Sequence, residues 1–386
     1  MMALSVDEAA RIWLAAVRPL PATDQPVESA LGLVLAAAVA APHDLPPFAR
    51  AMMDGYAVRL GDAGQSRPVA GAVHAGDDPR SLPRGAVLAI MTGAPVPDGA
   101  EAVVPREDCT VAGGVVALPA ALRAGANIVP RGGEAAAGAT VLRAGCRVGP
   151  LAVAAAAALG LPALPVVPRP RVAILTTGSE LAAAGAELRG GAIRDSNGPM
   201  LGALCGELGV AAQRATVPDD PAALAAAIAA SPADLIILTG GVSAGDRDHV
   251  PDALAAAGFR ALVRGVDQKP GKPLLLAAAP GRLAAALPGN PLAVHWCFVR
   301  FVAPALRTLM GSPPGPARET AVLTAPLPAG RGRPWYIPVA THRAGGRLVA
   351  QPLIPASSGD VAGPAHADAY ALAAGQAAGN EVEVIR

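Results

Sequence analysis

The segment RVAILTT at residues 171–177, followed at once by Gly178-Ser179-Glu180, decides the fold. A short run rich in apolar and β-branched side chains, without polar alternation, reads as a strand covered on both faces. A helix is expected after Ser196-Asn197 (GPMLGALCGELG) and another from Asp220 (PAALAAAIAAS). ADLIILTGG (233–241) is a second buried strand and VPDALAAAG (250–258) a further helix. KPLLLAA (272–278) and RLAAALPG (282–289) come next, and a long helix begins at Pro291. Strands alternating with helices of this length make a doubly wound α/β sheet, here expected over residues 170–312.

Working outward, residues 1–44 read as helical, ending near Ala41-Pro42. Residues 45–139 turn to short apolar runs broken by Gly and Pro (VAGAVHAG, AVLAIMTGAPVP, AEAVVPRED, VAGGVVALP), the grammar of a β-rich domain. Helical character returns near Pro150–Leu159, so this domain is expected to be inserted into a discontinuous helical domain of residues 1–44 and 140–169. PALPVVPRPR (162–171) reads as a proline-rich linker. Beyond residue 312, AVLTAPL, WYIPVATH, RLVAQPL and NEVEVIR are short strands of a small β-barrel-like domain over 313–386. The class is therefore multidomain α/β plus β.

A net charge of +1 gives no bulk attraction to nucleic acid or membrane, so an anionic ligand must be held by a local site. The alanine-rich run Leu151–Leu164, with Gly160 and Pro162, is too weakly apolar for a membrane span. Asp7, Glu8 and Arg11 make the N-terminus an amphipathic helix instead of a signal peptide, and a cytoplasmic protein is expected. Cys109, Cys146, Cys205 and Cys297 are widely spaced and read as reduced core residues, with neither zinc nor disulfide pattern. Among 31 basic residues only Lys269 and Lys272 are lysines, both inside QKPGKP. A chain that otherwise writes arginine keeps lysine where a compact ammonium is needed.

Ligands of an open parallel sheet bind beyond the carboxyl ends of its strands. Four loops fall there. Thr176-Thr177-Gly178-Ser179-Glu180 offers hydroxyls and a carboxylate. Thr239-Gly240-Gly241-Val242-Ser243-Ala244-Gly245-Asp246-Arg247-Asp248 offers backbone N–H groups to an anion and two acids to a hard cation. Lys269-Pro270-Gly271-Lys272-Pro273 fixes two ammonium groups, and Pro288-Gly289-Asn290-Pro291 opens a helix whose first amides favour an anion. Each loop alone is an ordinary turn, and Asp195-Ser196-Asn197 and Asp219-Asp220 read equally as helix caps. Their convergence describes a phosphate-and-magnesium site. In the β-rich region, Asp54 in MMDGYAV and Thr92 in IMTGAPVP sit at tight turns. The histidines lack ligand spacing, and none is assigned to a metal.

PPFARAMMDGYAV, IMTGAPVPDGAEAVVPRED, TTGSEL, GGAIRDSNGPML, LTGGVSAGDRD, KPGKP and LPGNP, in this order, closely resemble the molybdopterin molybdenumtransferase family, bacterial MoeA and the E domains of gephyrin and its plant relatives. The resemblance implies a MogA-like α/β domain, an inserted β-rich domain, an elongated N-terminal domain and a C-terminal barrel. It implies a homodimer whose site is shared between one subunit's α/β domain and the partner's inserted domain. The implied reaction joins adenylyl-molybdopterin and molybdate, with Mg2+, giving molybdenum cofactor and AMP. Carried over by motif, Asp54, Thr92, Glu180, Lys269 and Lys272 are catalytic, and Asp246 or Asp248 meets the metal. Asp219 or Asp220 also belongs to the acids. Thr177, Gly178, Ser179, Asp195, Asn197, Gly240, Gly241, Ser243, Gly271, Pro288, Gly289 and Asn290 hold the pterin ligand. The molybdopterin adenylyltransferase and molybdoenzyme chaperones are implied partners.

Two departures stand out. The family's RRGED is here Arg131-Gly132-Gly133-Glu134-Ala135, and Ala293 stands where many members carry serine. A pterin-binding storage protein that has lost turnover is the reading these alanines favour. Adenylylation of molybdopterin is disfavoured by the extra domains, and a scaffold role by the lack of a long linker.

Overall fold

The computed structural model describes residues 4–182, 185–241, 249–330 and 332–386. By its contacts the chain divides into two units, Met1–Thr23 with Val167–Arg386, and Asp24–Val166.

In the larger unit six strands form one sheet, in the order Ala212–Val217, Val172–Thr177, Leu235–Thr239, Arg282–Leu287, Leu275–Ala279, Arg260–Arg264. The first four run parallel, Leu275–Ala279 runs antiparallel to them, and Arg260–Arg264 pairs antiparallel with Leu275–Ala279. Val172–Thr177 and Leu235–Thr239 are buried at every position, as their unbroken apolar sequences require. Val172, Ile174, Leu235 and Ile237 face a core shared with Leu201 and Trp296. Ala173, Leu175, Ile236 and Leu238 face the opposite core, with Leu224, Ile228 and Leu254. Helices therefore cover both faces. Arg260–Arg264 was hidden in the sequence because an edge strand with arginines at both ends carries little apolar signal.

The expected N-terminal helix is confined to Val6–Ala15, because Pro19, Pro21 and Pro26 deny helix to the residues beyond it. Ser5 and Glu8 close a reciprocal cap at its start. Trp13 is fully buried in the α/β core and donates its indole N–H to the Phe301 carbonyl at 2.9 Å. Arg300 pairs with Asp7 at 2.5 Å, tying the same helix to the segment Pro291–Leu309. Among the described residues that segment alone has the length and hydropathy of a membrane span, and 78% of it is buried inside the protein. Core packing accounts for its apolar character.

Residues 318–385 form a closed barrel in the order Arg318–Leu323, Arg347–Pro352, Tyr336–Ala344, Ala369–Leu372, Glu381–Ile385. Ala369–Leu372, lost among alanines, is the strand that the sequence did not announce.

In the smaller unit six strands pair in the order Ala102–Pro105, Gly55–Val58, Val87–Ile90, Ser66–Val73, Val115–Ala117, Thr110–Ala112. A separate three-stranded sheet joins Thr23–Pro26, Ala163–Val167 and Val34–Leu35. The helix Pro150–Ala158 covers it, with Ala156 against Leu35, Leu164 and Val166. The expected linker PALPVV is thus a strand, held by the burial of Leu164, Val166 and Val167. Of the four cysteines, all free, only Cys205 and Cys297 lie in the core, while Cys146 is exposed and Cys109 half-buried. Two of the four thus stand outside the core that all were expected to join.

The α/β sheet reverses its winding between Val172–Thr177 and Leu235–Thr239, where a doubly wound sheet opens its ligand crevice. At that point Gly240 has φ 94°, and a Cβ there would stand 2.2 Å from the Thr177 carbonyl oxygen. Both facts exclude any larger residue.

Trp13→Ala is expected to destabilise the protein by about 3–5 kcal/mol, read as a lower denaturant midpoint. Trp13→Phe, which leaves the Phe301 carbonyl without its indole donor, is expected to cost about 1–3 kcal/mol. Unchanged midpoints would contradict this account of the N-terminal helix. Gly240→Ala is expected to distort the crevice, so that ligand affinity falls at least tenfold, by about 1.4 kcal/mol, measured by titration calorimetry. Full retention of affinity would exclude the crowding described.

Candidate active site

The crevice at the carboxyl edge of the α/β sheet holds a cavity of about 280 Å3. Thr177, Glu180, Asp195, Asn197, Gly240, Gly289 and Asn290 all line it, so residues from three sequence-predicted loops and one helix start converge. Thr177 ends its strand and donates its hydroxyl to Asp219 at 3.3 Å. Asp220 instead caps the next helix, accepting from the Ala223 N–H at 2.8 Å. The adjacent acids thus have separate duties. Gly178 adopts φ 153° and its position is closely faced by the Glu180 carboxylate. Ser179 is exposed in the same turn.

Asp195 accepts from the Gly198 N–H at 2.9 Å and so occupies the start of the helix Asn197–Glu207. Asn197 braces the crevice: its amide nitrogen donates to Thr239 Oγ1 at 3.0 Å and to the Gly289 carbonyl at 2.7 Å. Its Oδ1 is buried with no hydrogen-bond partner among the described residues. A buried lone acceptor is costly unless a donor arrives. Thr239 donates its own hydroxyl to the Pro288 carbonyl at 3.1 Å. Gly241, the next glycine, has φ 63°. Ser243, Asp246 and Asp248 lie outside the described residues.

A second cavity, of about 410 Å3, opens between the α/β sheet and the barrel, and Lys269, Gly271, Lys272, Pro288 and Asn290 line it. Asn290 borders both cavities. It donates to Ser358 Oγ at 2.7 Å, and the Leu292 N–H donates to the Ser358 carbonyl at 3.2 Å. The lysine turn is built on a buried amide. Gln268, fully buried, donates to the Gly271 carbonyl at 2.8 Å and accepts from the Trp296 indole at 2.7 Å. Gly271 has φ 92°, and a Cβ there would meet Cys297 Sγ at 2.7 Å. Burial pushes the Cys297 thiol far above its ordinary range, which leaves it a packing atom and not a nucleophile.

Sequence reasoning missed Gln268, Arg333, Trp335, Ser357 and Ser358, which wall this cavity. The last four come from the barrel, whose segments showed strands but no chemistry. Ala293, one of the two departures from the family motif, also lines it and is buried.

Asp54 and Thr92 belong to the smaller unit, where they form a closed pair. Asp54 Oδ1 accepts both the N–H and the hydroxyl of Thr92 at 2.7 Å each. These two bonds, the backbone one first, hold the Asp54 carboxyl below the ordinary aspartate range. In the same unit Glu134 is engaged by Arg50, and Ala135 exchanges backbone hydrogen bonds with Leu45. Glu134 is therefore already committed to a cation.

No three His, Cys, Asp or Glu side chains gather to hold a metal among the described residues. What the described site offers is hydrogen-bond donors, glycine-freed backbone and two ammonium groups around adjoining cavities, which suits an anionic ligand.

Three family models match the chain: the MoeA N-terminal region (domain I and II) over residues 4–160, a probable molybdopterin binding domain over 173–308, and the MoeA C-terminal region (domain IV) over 320–386. A relative from Mycobacterium tuberculosis named molybdopterin molybdenumtransferase 2 is 41% identical over 361 residues, covering 88% of this chain and 89% of its own. The molybdopterin molybdenumtransferase of Synechococcus elongatus is 36% identical over 323 residues, covering 79% and 80%. The crystal structure of a molybdopterin biosynthesis MoeA protein from Pyrococcus horikoshii superposes with a TM-score of 0.85 at 28% identity, over 100% of this chain and 99% of that one. The chain belongs to the molybdopterin molybdenumtransferase family and is a transferase of molybdenum cofactor biosynthesis.

Proposed function

We propose that this transferase inserts molybdate into adenylyl-molybdopterin, releasing AMP, and that its two adjoining cavities divide the work. The observation that carries the proposal is Asn290, which borders both the crevice at the sheet edge and the lysine-lined cavity beside the barrel. The adenylylated pterin occupies the crevice, where Thr177, Gly178, Ser179, Asp195, Asn197, Gly240 and Gly241 supply donors and backbone N–H groups. The buried Oδ1 of Asn197 meets a ligand donor there. Molybdate occupies the second cavity, where Lys269 and Lys272 offset the repulsion between two anions with charge-assisted hydrogen bonds. Pro288, Gly289 and Asn290 join the two.

Magnesium belongs to this proposal through the family resemblance, with Asp246 or Asp248 as its ligand; bound, it would neutralise charge as the pyrophosphate bond is cleaved. Glu180, Asp195 and Asp219 are described acids near that edge, and they do not gather into a metal cluster. A homodimer in which the partner subunit contributes the Asp54–Thr92 pair, a cytoplasmic location, and handover from the adenylyltransferase to molybdoenzyme chaperones complete the reading. The division of the chain expected from its sequence remains our proposal for its folding units, with Val6–Ala15 seated on the α/β core.

The test is AMP release from adenylyl-molybdopterin with magnesium, with and without molybdate. Molybdate-dependent release in the wild type is the expected result, and Lys272→Ala is expected to lower kcat/KM at least 100-fold, about 2.7 kcal/mol. Pterin binding without AMP release would contradict turnover and favour the storage protein, making Ala135 and Ala293 the first residues to revert.

Asp54 is expected to stay ionised throughout the working pH range. Its carboxyl titration, followed by carbon NMR, should have a midpoint below the ordinary aspartate value, and Thr92→Ala should raise it by removing the hydroxyl while sparing the N–H. Because the folded value is depressed, the stability it contributes is present above the ordinary aspartate pKa and is lost as pH falls through the folded one. An unchanged midpoint in Thr92→Ala would remove the hydroxyl from the account.

A further inference from the structure

The ammonium of Lys269 stands 3.9 Å from the centroid of the Trp335 ring. The negative face of an indole attracts a cation there. The main chain fixes the pair: the Lys269 N–H donates to the Pro334 carbonyl at 2.7 Å, and the Tyr336 N–H donates to the Lys269 carbonyl at 2.7 Å. Lys269 and Trp335 are thus opposed across a parallel bridge that does not depend on either side chain. Tyr336, the next residue and the first of its strand, is stacked on buried Trp296 at 4.0 Å, so the chain beside the ring is anchored from below.

The cations around this cavity are held in different ways. Arg333 is committed to a carboxylate, Asp267, at 2.8 Å. Lys272 makes no ion pair, side-chain hydrogen bond or ring contact with any described residue. Lys269 alone rests on a ring. A ring holds a cation in place without cancelling its charge, which a carboxylate would do.

We propose that Trp335 is a positioning residue for molybdate: its ring orders the Lys269 ammonium at the cavity wall, so that an arriving oxyanion meets a cation already in place. The proposal rests on the reading of this cavity as the molybdate end of the site. A lysine head on a four-carbon stem otherwise loses rotamer freedom when it binds an anion, and that loss weakens binding. With the ring present, the ordering precedes the encounter. Trp335 acts through Lys269, and its removal therefore matters only while Lys269 is there.

The experiment measures the molybdate concentration that half-saturates AMP release, with adenylyl-molybdopterin saturating, in wild type, Trp335→Leu, Trp335→Phe, Lys269→Ala and the double variant Trp335→Leu/Lys269→Ala. Leucine keeps an apolar filler against the barrel core but has no ring face, and phenylalanine keeps the face. Trp335→Leu is expected to raise half-saturation about tenfold, and Trp335→Phe to stay within about threefold of wild type. The double variant is expected to match Lys269→Ala alone, because a residue that works through another shows no separate effect once the other is gone. If Trp335→Leu worsens Lys269→Ala by the same factor as it worsens wild type, or if Phe fails as badly as Leu, the proposal is overturned. A wild type that releases no AMP on adding molybdate overturns the transferase reading itself, and this result is distinguished by appearing before any substitution.

Discussion

The parallel pairing of Val172–Thr177 with Leu235–Thr239, in register from Val172 opposite Leu235 to Thr176 opposite Thr239, is the constraint on which the site depends. Parallel strands in register deliver the loops at their carboxyl ends to the same edge. The close approach of Gly240 to the Thr177 carbonyl is the consequence, and it is possible only without a Cβ. Neighbouring groups answer to this geometry. Asn197 reaches from the next helix to Thr239 and Gly289 because those two already stand side by side. Thr239 in turn fixes the Pro288 carbonyl, and so the turn that leads to Asn290.

The barrel is the second structural party to the site. Its main-chain bonds with Lys269 make the lysine turn a joint product of two folded elements. Gln268 carries this further inward: one buried amide supports Gly271 and receives the Trp296 indole, so the turn is coupled to the helix that begins at Pro291. Buried polar side chains persist when their hydrogen bonds are met, and each of these is met within the same small cluster. The two ammonium groups therefore stand on a rigid base.

The sheet was legible because strands buried on both faces leave unbroken apolar text, as in RVAILTT and LIILT. The cap at Asp220 was legible because Asp before Pro has a local mechanism. The hidden elements lack such local signals. Arg260–Arg264 and Ala369–Leu372 are strands only by virtue of their neighbours. The stretch after Ala15 is rich in alanine, which suits a helix, but Pro19, Pro21 and Pro26 interrupt it. In the site, the lysine pair stood out by rarity, whereas Trp335, Arg333 and Ser358 reach the cavity through barrel folding, which single-chain text does not encode at short range.

Diffraction from crystals soaked in molybdate, recorded on both sides of the molybdenum absorption edge, would locate the oxyanion in the site. An anomalous peak is expected in the cavity walled by Lys269, Lys272 and Trp335, within charge-assisted hydrogen-bond reach of both ammonium groups. A peak confined to the crevice lined by Thr177 and Gly240, with the lysine cavity empty, would contradict it.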